Sequence, residues 1–228
     1  MIKSALVTGA SSGIGKACAK KLLSLDYKVY GLARDFEKCD IHDSHFIPIK
    51  IDLTKERKYP TIENLSIMIH SAGIGHFAPH EELNPKQIEE MIALNLTAPL
   101  LLTQHYLRAL KKSEGFIFNI NSISGIEPAL YGAVYGATKA GLSHFGTSLF
   151  KEARKSGLKV ININPDITKT PFFNNLHFQE SEDSLAYIEP EDIADVIEDV
   201  LNKREGTVIT DITIQPQKFQ IKKKKKKK

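Results

Sequence analysis

Tyr135-Gly-Ala-Thr-Lys139 sets a phenol and an ammonium four residues apart, a spacing that puts both on one face of a helix. A phenol with an ordinary pKa of about 10 is a poor acid–base at neutral pH. A nearby ammonium, and an oxidised nicotinamide, favour the phenolate and are expected to lower that pKa. The phenol could then exchange a proton with a carbonyl or alcohol oxygen while hydride moves at carbon. By itself this spacing is common on ordinary helices, so the neighbouring polar residues matter. Ser122, in Asn119-Ile-Asn-Ser-Ile-Ser-Gly125, could donate to the same substrate oxygen, or could cap its own turn. Asn95 is a polar residue in an apolar helical stretch. If buried it must be satisfied, either by packing alone or by holding a water near Lys139.

A second set of residues suits a dinucleotide. Thr8-Gly-Ala-Ser-Ser-Gly-Ile-Gly15 follows the first apolar run and opens the first helical one. Gly9, Gly13 and Gly15 allow a tight turn, close backbone approach to a pyrophosphate and close helix–strand packing. With Thr8, Ser11, Ser12 and Ile14 they form the candidate phosphate cradle, facing helix N–H groups. At the end of the second strand, Ala33 stands where a ribose-binding acid is expected, and Arg34 follows. Its planar fork suits a 2′-phosphate, so NADP(H) is favoured over NAD(H). Asp35 could neutralise Arg34 or turn towards the ribose. Asp52 and Leu53 close the third strand, where the acid could accept from adenine or cap the segment that follows. Ser71, Ala72 and Gly73 end the fourth strand and let the backbone approach a cofactor closely.

These residues need a scaffold that brings strand ends together. Short runs rich in Val and Ile at 4–8, 28–32, 46–51, 66–70, 115–120, 159–164 and 207–213 read as strands. Helical patterns lie near 13–25, 85–112, 135–156 and 190–203. The alternation predicts an α/β fold, a Rossmann-type doubly wound parallel sheet of about seven strands flanked by helices. The stretches 35–45 and 53–65 are short for full crossovers, so their helices must be brief or irregular.

The chain has 228 residues, 42% of them hydrophobic, and a net charge of +4. That charge invites a nucleic-acid or membrane reading, yet seven of the 31 Lys and Arg residues form the run 222–228. Without it 24 basic residues face 27 acidic ones, a charge of −3 for residues 1–221. The expected organisation is one domain over 1–214 and a C-terminal segment, 215–228, whose lysine tail is disordered and solvated. The start lacks the apolar stretch of a signal peptide, and no apolar run approaches membrane-spanning length. Cys18 and Cys39 have no metal-ligand spacing, and the expectation is a cytoplasmic protein with no metal site, no specific nucleic-acid partner and no membrane partner.

In motif order the chain resembles the short-chain dehydrogenase/reductases of the compact single-domain kind. The resemblance covers residue 2 to about 214 and rests on Thr8 to Gly15, Asp52, the 70–73 element, Asn95, Ser122, Tyr135 and Lys139. It implies a tetrad in which Tyr135 is the acid/base and Ser122 polarises the substrate carbonyl. Lys139 would bind the nicotinamide ribose and lower the Tyr135 pKa, and Asn95 would organise a proton-relay water. It also implies a homodimer or homotetramer joined by the helices near 85–112 and 135–156. Two motifs depart from the pattern. His70-Ser-Ala-Gly73 replaces N-N-A-G, and Pro165-Asp-Ile-Thr-Lys-Thr170 carries Asp166 where a glycine beside the nicotinamide is usual. Pro165, Ile167 and Thr170 still match the expected cofactor contacts.

The resemblance makes the leading reading an NADP(H)-dependent carbonyl reductase or alcohol dehydrogenase acting on a small carbonyl or alcohol compound. Asp166 and the short crossovers leave a cofactor-binding sensor or scaffold as the alternative. A third reading makes the lysine tail a surface binder. The loop 171–189 carries Phe172, Phe173, Leu176, Phe178 and Tyr187, which either line an apolar substrate site or pack a lid or subunit contact.

Overall fold

The computed structural model describes residues 2–224. Seven strands form one parallel sheet: β1 (Ser4–Thr8), β2 (Lys28–Ala33), β3 (Phe46–Lys50), β4 (Leu65–His70), β5 (Phe116–Ile120), β6 (Lys159–Pro165) and β8 (Asp211–Ile214). Their order is β3-β2-β1-β4-β5-β6-β8. The order reverses between β1 and β4, and in such sheets ligands gather outside the carboxyl ends of the strands at that switch point. β1 and β4 are buried along their whole length, because helices cover both faces. The last strand begins at Asp211 rather than at 207, since Gly206 turns the chain with φ +84° before it can pair with β6.

On one face α1 (Gly13–Ser24) and α5 (Pro190–Leu201) pack on Val7, Ile67, Phe118 and Ile163. On the other, α3 (Ala98–Lys112) and α4 (Ala133–Ala153) cover Leu6, Leu32, Met68 and Ile117. The helical stretch near 85–112 is interrupted. α2 (Pro85–Ile92) runs through a π turn at Ala93–Thr97 into α3. Pro99 has no N–H to return to the carbonyl of Asn95, so the ordinary i to i−4 ladder breaks at that point.

Neither short crossover contains a helix. Between β2 and β3 the side chains of Phe36, Cys39 and Ile41 take the place of one by packing against the α1 face. Asp40 fastens that loop to α1 through Lys16 at 3.0 Å and Lys20 at 2.9 Å. Between β3 and β4 the chain is anchored where the Tyr106 hydroxyl donates to the carbonyl of Pro60 at 2.7 Å.

The C-terminal segment departs from the disordered, solvated expectation. Ile221–Lys223 forms a strand, β9, antiparallel to β7 (Phe178–Glu180) in the loop beyond β6. Lysine is a poor strand former on local propensity, but here acidic partners and exposed backbone groups on the loop supply contacts the local sequence does not advertise. The remaining lysines, 225–228, lie outside the described residues.

Candidate active site

α4 starts at the mouth of the sheet, and Tyr135 and Lys139 fall on its buried face. The Lys139 Nζ donates to the carbonyl of Ile120 at 2.8 Å and lies 5.7 Å from the centre of the Tyr135 ring. Ser122, just past β5, stands beside the Tyr135 phenol and favours its ionised form, and its Oγ accepts from the N–H of Ser124 at 3.2 Å. Ser122 therefore both caps its turn and faces the phenol.

Burial pushes the Tyr135 phenol up to about 12, with the Ser122 contact opposing it. It also pushes the Lys139 ammonium down to about 8. The Tyr135 direction is opposite to the lowering expected from the Tyr–Lys spacing. Desolvation penalises both charged forms, and the ammonium spends its hydrogen bond on Ile120 rather than on the phenol.

Asn95 is 1% exposed and fully employed by protein groups. Its Oδ1 accepts from the N–H of Ile74 at 2.9 Å, and its Nδ2 donates to the Ile74 carbonyl at 2.8 Å and to Thr138 Oγ1 at 3.2 Å. The side chain thus joins the segment after β4 to α4. Gly73 fits against this knot: a Cβ there would stand 3.4 Å from Asn95 Oδ1 and 3.6 Å from Lys139 Nζ.

The glycine turn after β1 is built for close approach. Gly9 has φ +69°, and a Cβ on Gly15 would lie 2.4 Å from the Gly9 carbonyl oxygen. Thr8 Oγ1 accepts from the N–H groups of Ser71 at 2.9 Å and Ala72 at 3.0 Å, locking this turn to the end of β4. Ser12 stands at the N-cap of α1, beside Ser11 and Ile14, with no side-chain capping bond, so no side chain caps the first N–H groups of the helix. Thr170 closes the far side, its methyl 3.1 Å from where a Gly13 Cβ would be.

Arg34 is exposed at the end of β2, and it is absent from the ion pairs among the described residues. Asp35 does not neutralise it, because Asp35 Oδ1 accepts from the Glu37 N–H at 3.0 Å. Asp52 Oδ1 is occupied by the N–H and hydroxyl of Thr54 at 3.0 and 2.6 Å, the capping arrangement. Leu53 beside it is buried. Asp166 bends its carboxylate onto the N–H of Ile167 at 2.8 Å, and its backbone is outside the left-handed region, so no glycine is needed between Pro165 and Ile167. A free helix N-terminus, a cradle without Cβ atoms and an uncompensated guanidinium fit a dinucleotide phosphate end. The fold thus brings Ser122, Tyr135 and Lys139 together, with Asn95 behind them, while Arg34 and Asp52 sit further out on the ends of β2 and β3.

Residues 3–181 match the short chain dehydrogenase family. The chain belongs to the short-chain dehydrogenase/reductases. It is an oxidoreductase with an NAD(P)-binding fold. It is 33% identical to an uncharacterised oxidoreductase of Staphylococcus epidermidis, covering 94% of this chain and 97% of the relative. It is 29% identical to an NADP-dependent 3-hydroxy acid dehydrogenase of Schizosaccharomyces pombe, over 94% of this chain and 92% of that one. In fold it is similar to an alcohol dehydrogenase of Thermococcus sibiricus complexed with 5-hydroxy-NADP, with a TM-score of 0.83 at 21% identity over 95% and 97% of the two chains. No helix among the described residues is long and apolar enough to cross a membrane.

Within this fold the loop beyond β6 lies over Tyr135. The ring of Phe172 stands 5.7 Å and that of Phe77 5.2 Å from the Tyr135 ring. Phe173 and Leu176 are buried with Ile167 in a small separate cluster that Phe178 and Tyr187 flank. Phe77 and Phe172 pack against the same cluster, Phe172 meeting Phe173 at 5.3 Å, so these two rings contact both Tyr135 and the lid. Phe77 and Thr138 escape sequence reading, since Phe77 lies in a segment without periodicity and Thr138 matters only through its partners. A hint for Phe77 is Gly75 and Gly132, whose missing Cβ atoms would stand 2.7 Å and 3.1 Å from its ring.

His70, where the family pattern has an amide, is fully buried with Nε2 2.9 Å from Thr103 Oγ1. Burial pushes its pKa down to about 3, so it is a neutral packing residue at physiological pH.

Proposed function

We propose that the protein is an NADP(H)-dependent carbonyl reductase or alcohol dehydrogenase. The observation that carries this reading is the burial of Ser122, Tyr135 and Lys139 together at the carboxyl edge of the sheet, with the Lys139 ammonium 5.7 Å from the centre of the Tyr135 ring. A bound nicotinamide supplies or accepts the hydride. Tyr135 Oη gives its proton to the carbonyl oxygen during reduction and takes it back during oxidation. The Ser122 hydroxyl, beside that phenol, would donate to the same substrate oxygen and hold it in line. Lys139 would hold a ribose hydroxyl of the bound cofactor and favour the phenolate. Asn95 fixes the distance between the β4 end and α4, and hence the position of Lys139.

The preference for NADP(H) rests on Arg34, exposed and uncompensated where a 2′-phosphate would lie, and agrees with the NADP-dependent naming of the yeast relative. The apolar faces of Phe77 and Phe172 around Tyr135 favour an apolar or aromatic carbonyl compound. Assembly as a homodimer or homotetramer through the helices near 85–112 and 135–156 belongs to the same reading.

The test is NADPH oxidation measured against a panel of ketones and aldehydes, with wild type and Tyr135→Phe side by side. Turnover in the wild type and a loss of about 10²-fold or more in the variant are expected. Equal turnover in the two would remove Tyr135 from the mechanism, and none with any compound would remove the reductase reading.

A further inference from the structure

The basic C-terminal segment has no part in the site as described above, yet it is tied to the lid at many points. β9 pairs with β7 in register Phe178 to Lys223, Gln179 to Lys222 and Glu180 to Ile221. Beyond the strand, the N–H of Lys224 donates to the His177 carbonyl at 2.8 Å. The Lys224 ammonium donates to the carbonyls of Phe173 and of Asn174, the latter at 3.1 Å. Both carbonyls belong to the 3₁₀ turn Pro171–Asn175; that of Phe173 also accepts from the Leu176 N–H at 3.0 Å, and a cation is favoured at the carbonyl end of a helical turn. Phe172, on the same turn, touches Tyr135.

A second line of contact runs through β7. Phe178 meets Phe77 at 5.2 Å and Phe173 at 5.7 Å, both edge to face, and Phe77 meets Tyr135. Polar contacts repeat the connection outside. Lys218 pairs with Asp183 at 2.8 Å, Lys222 pairs with Glu182, and Ser181 donates to Gln220 at 3.1 Å.

We propose that Lys224 and β9 act as a strap that positions Phe172 and Phe77 against Tyr135, and so sets the fit for flat apolar carbonyl substrates. The inference rests on the reductase reading for its substrate but not for its geometry. A three-residue two-stranded ribbon is marginal in water, and exposed ion pairs add little each. The lid's own buried cluster is small. The strap therefore opens at low free-energy cost, which lets substrate in, and recloses to rebuild the aromatic wall. Lys224 is a positioning residue; it touches neither substrate nor cofactor.

The experiment uses the full chain with Lys224→Ala, Lys224→Glu and Lys224→Arg. Three quantities are read: KM and kcat for an aromatic and a small aliphatic ketone, NADPH affinity by fluorescence, and the rate of chymotrypsin cleavage within 172–187. For Ala and Glu, KM for the aromatic ketone should rise about tenfold, the loss of a charge-assisted hydrogen bond. The aliphatic ketone and NADPH should change little, lid cleavage should quicken by a similar factor, and Arg should restore both. Unchanged lid cleavage overturns the strap, and faster cleavage with unchanged KM overturns its role in substrate fit. Absence of turnover in the wild type would strike the reductase reading alone, because proteolysis still reports the strap.

Discussion

Asn95 donates its side-chain N–H to the hydroxyl of Thr138 at 3.2 Å, and that hydroxyl donates in turn to the carbonyl of Tyr135 at 2.7 Å. The π turn that Pro99 imposes is thereby coupled to the helix bearing Tyr135 and Lys139. Asn95→Ala leaves the N–H and carbonyl of Ile74 without their partners, at a cost of about 1–3 kcal/mol for buried groups. Thr138→Val removes one acceptor and costs less, since Asn95 Nδ2 keeps Ile74. Denaturant unfolding of both single variants and the double variant should give a coupling energy of about 0.5 kcal/mol or more. Strict additivity would mean that the contact joins nothing.

Arg34→Ala should change cofactor choice and little else. A charge-assisted contact to a 2′-phosphate is worth about 1.5–3 kcal/mol, roughly tenfold to a hundredfold in affinity. NADPH binding should weaken by that factor while NADH binding stays the same, as read by paired fluorescence titrations. A wild type that prefers NADH would reverse the assignment.

Gly15→Ala tests the cradle. The added methyl would stand 2.4 Å from the Gly9 carbonyl oxygen and 3.0 Å from that of Thr8. Both are backbone atoms, so α1 or the turn must move, at about 1–3 kcal/mol. Loss of dinucleotide binding together with a lower melting temperature is the expected result. Normal NADPH titration would show that the turn is not where the phosphates sit.

His70 gives a pH dependence of known sign. Its folded pKa of about 3 lies below the ordinary 6.5, so in that interval the unfolded chain binds the extra proton. Its contribution is complete above 6.5 and is lost as pH falls towards 3. The slope for one proton is at most about 1.4 kcal/mol per pH unit. His70→Asn should flatten the fall in stability across that interval, measured as wild type minus variant in melts at several pH values. Parallel curves would mean that His70 does not control it.

The sequence by itself determined the features whose physics is local. Strands appear as Val- and Ile-rich runs because both faces of a parallel sheet are covered, and the glycine turn announces itself through residues that must lack a Cβ. Tyr135 and Lys139 share a face because a helix repeats every 3.6 residues, and that spacing needs no partner to be read. Tertiary structure decided everything that depends on which distant group arrives. It set the partners of Asn95 and turned the Asp166 carboxylate onto the N–H of its own neighbour. It also replaced two crossover helices with packed loops and raised the Tyr135 pKa, because desolvation is a property of the assembled interior. The lysine tail marks that boundary: its composition reads as solvated charge, and only the acidic, open-edged lid beneath it makes a strand of Ile221–Lys223.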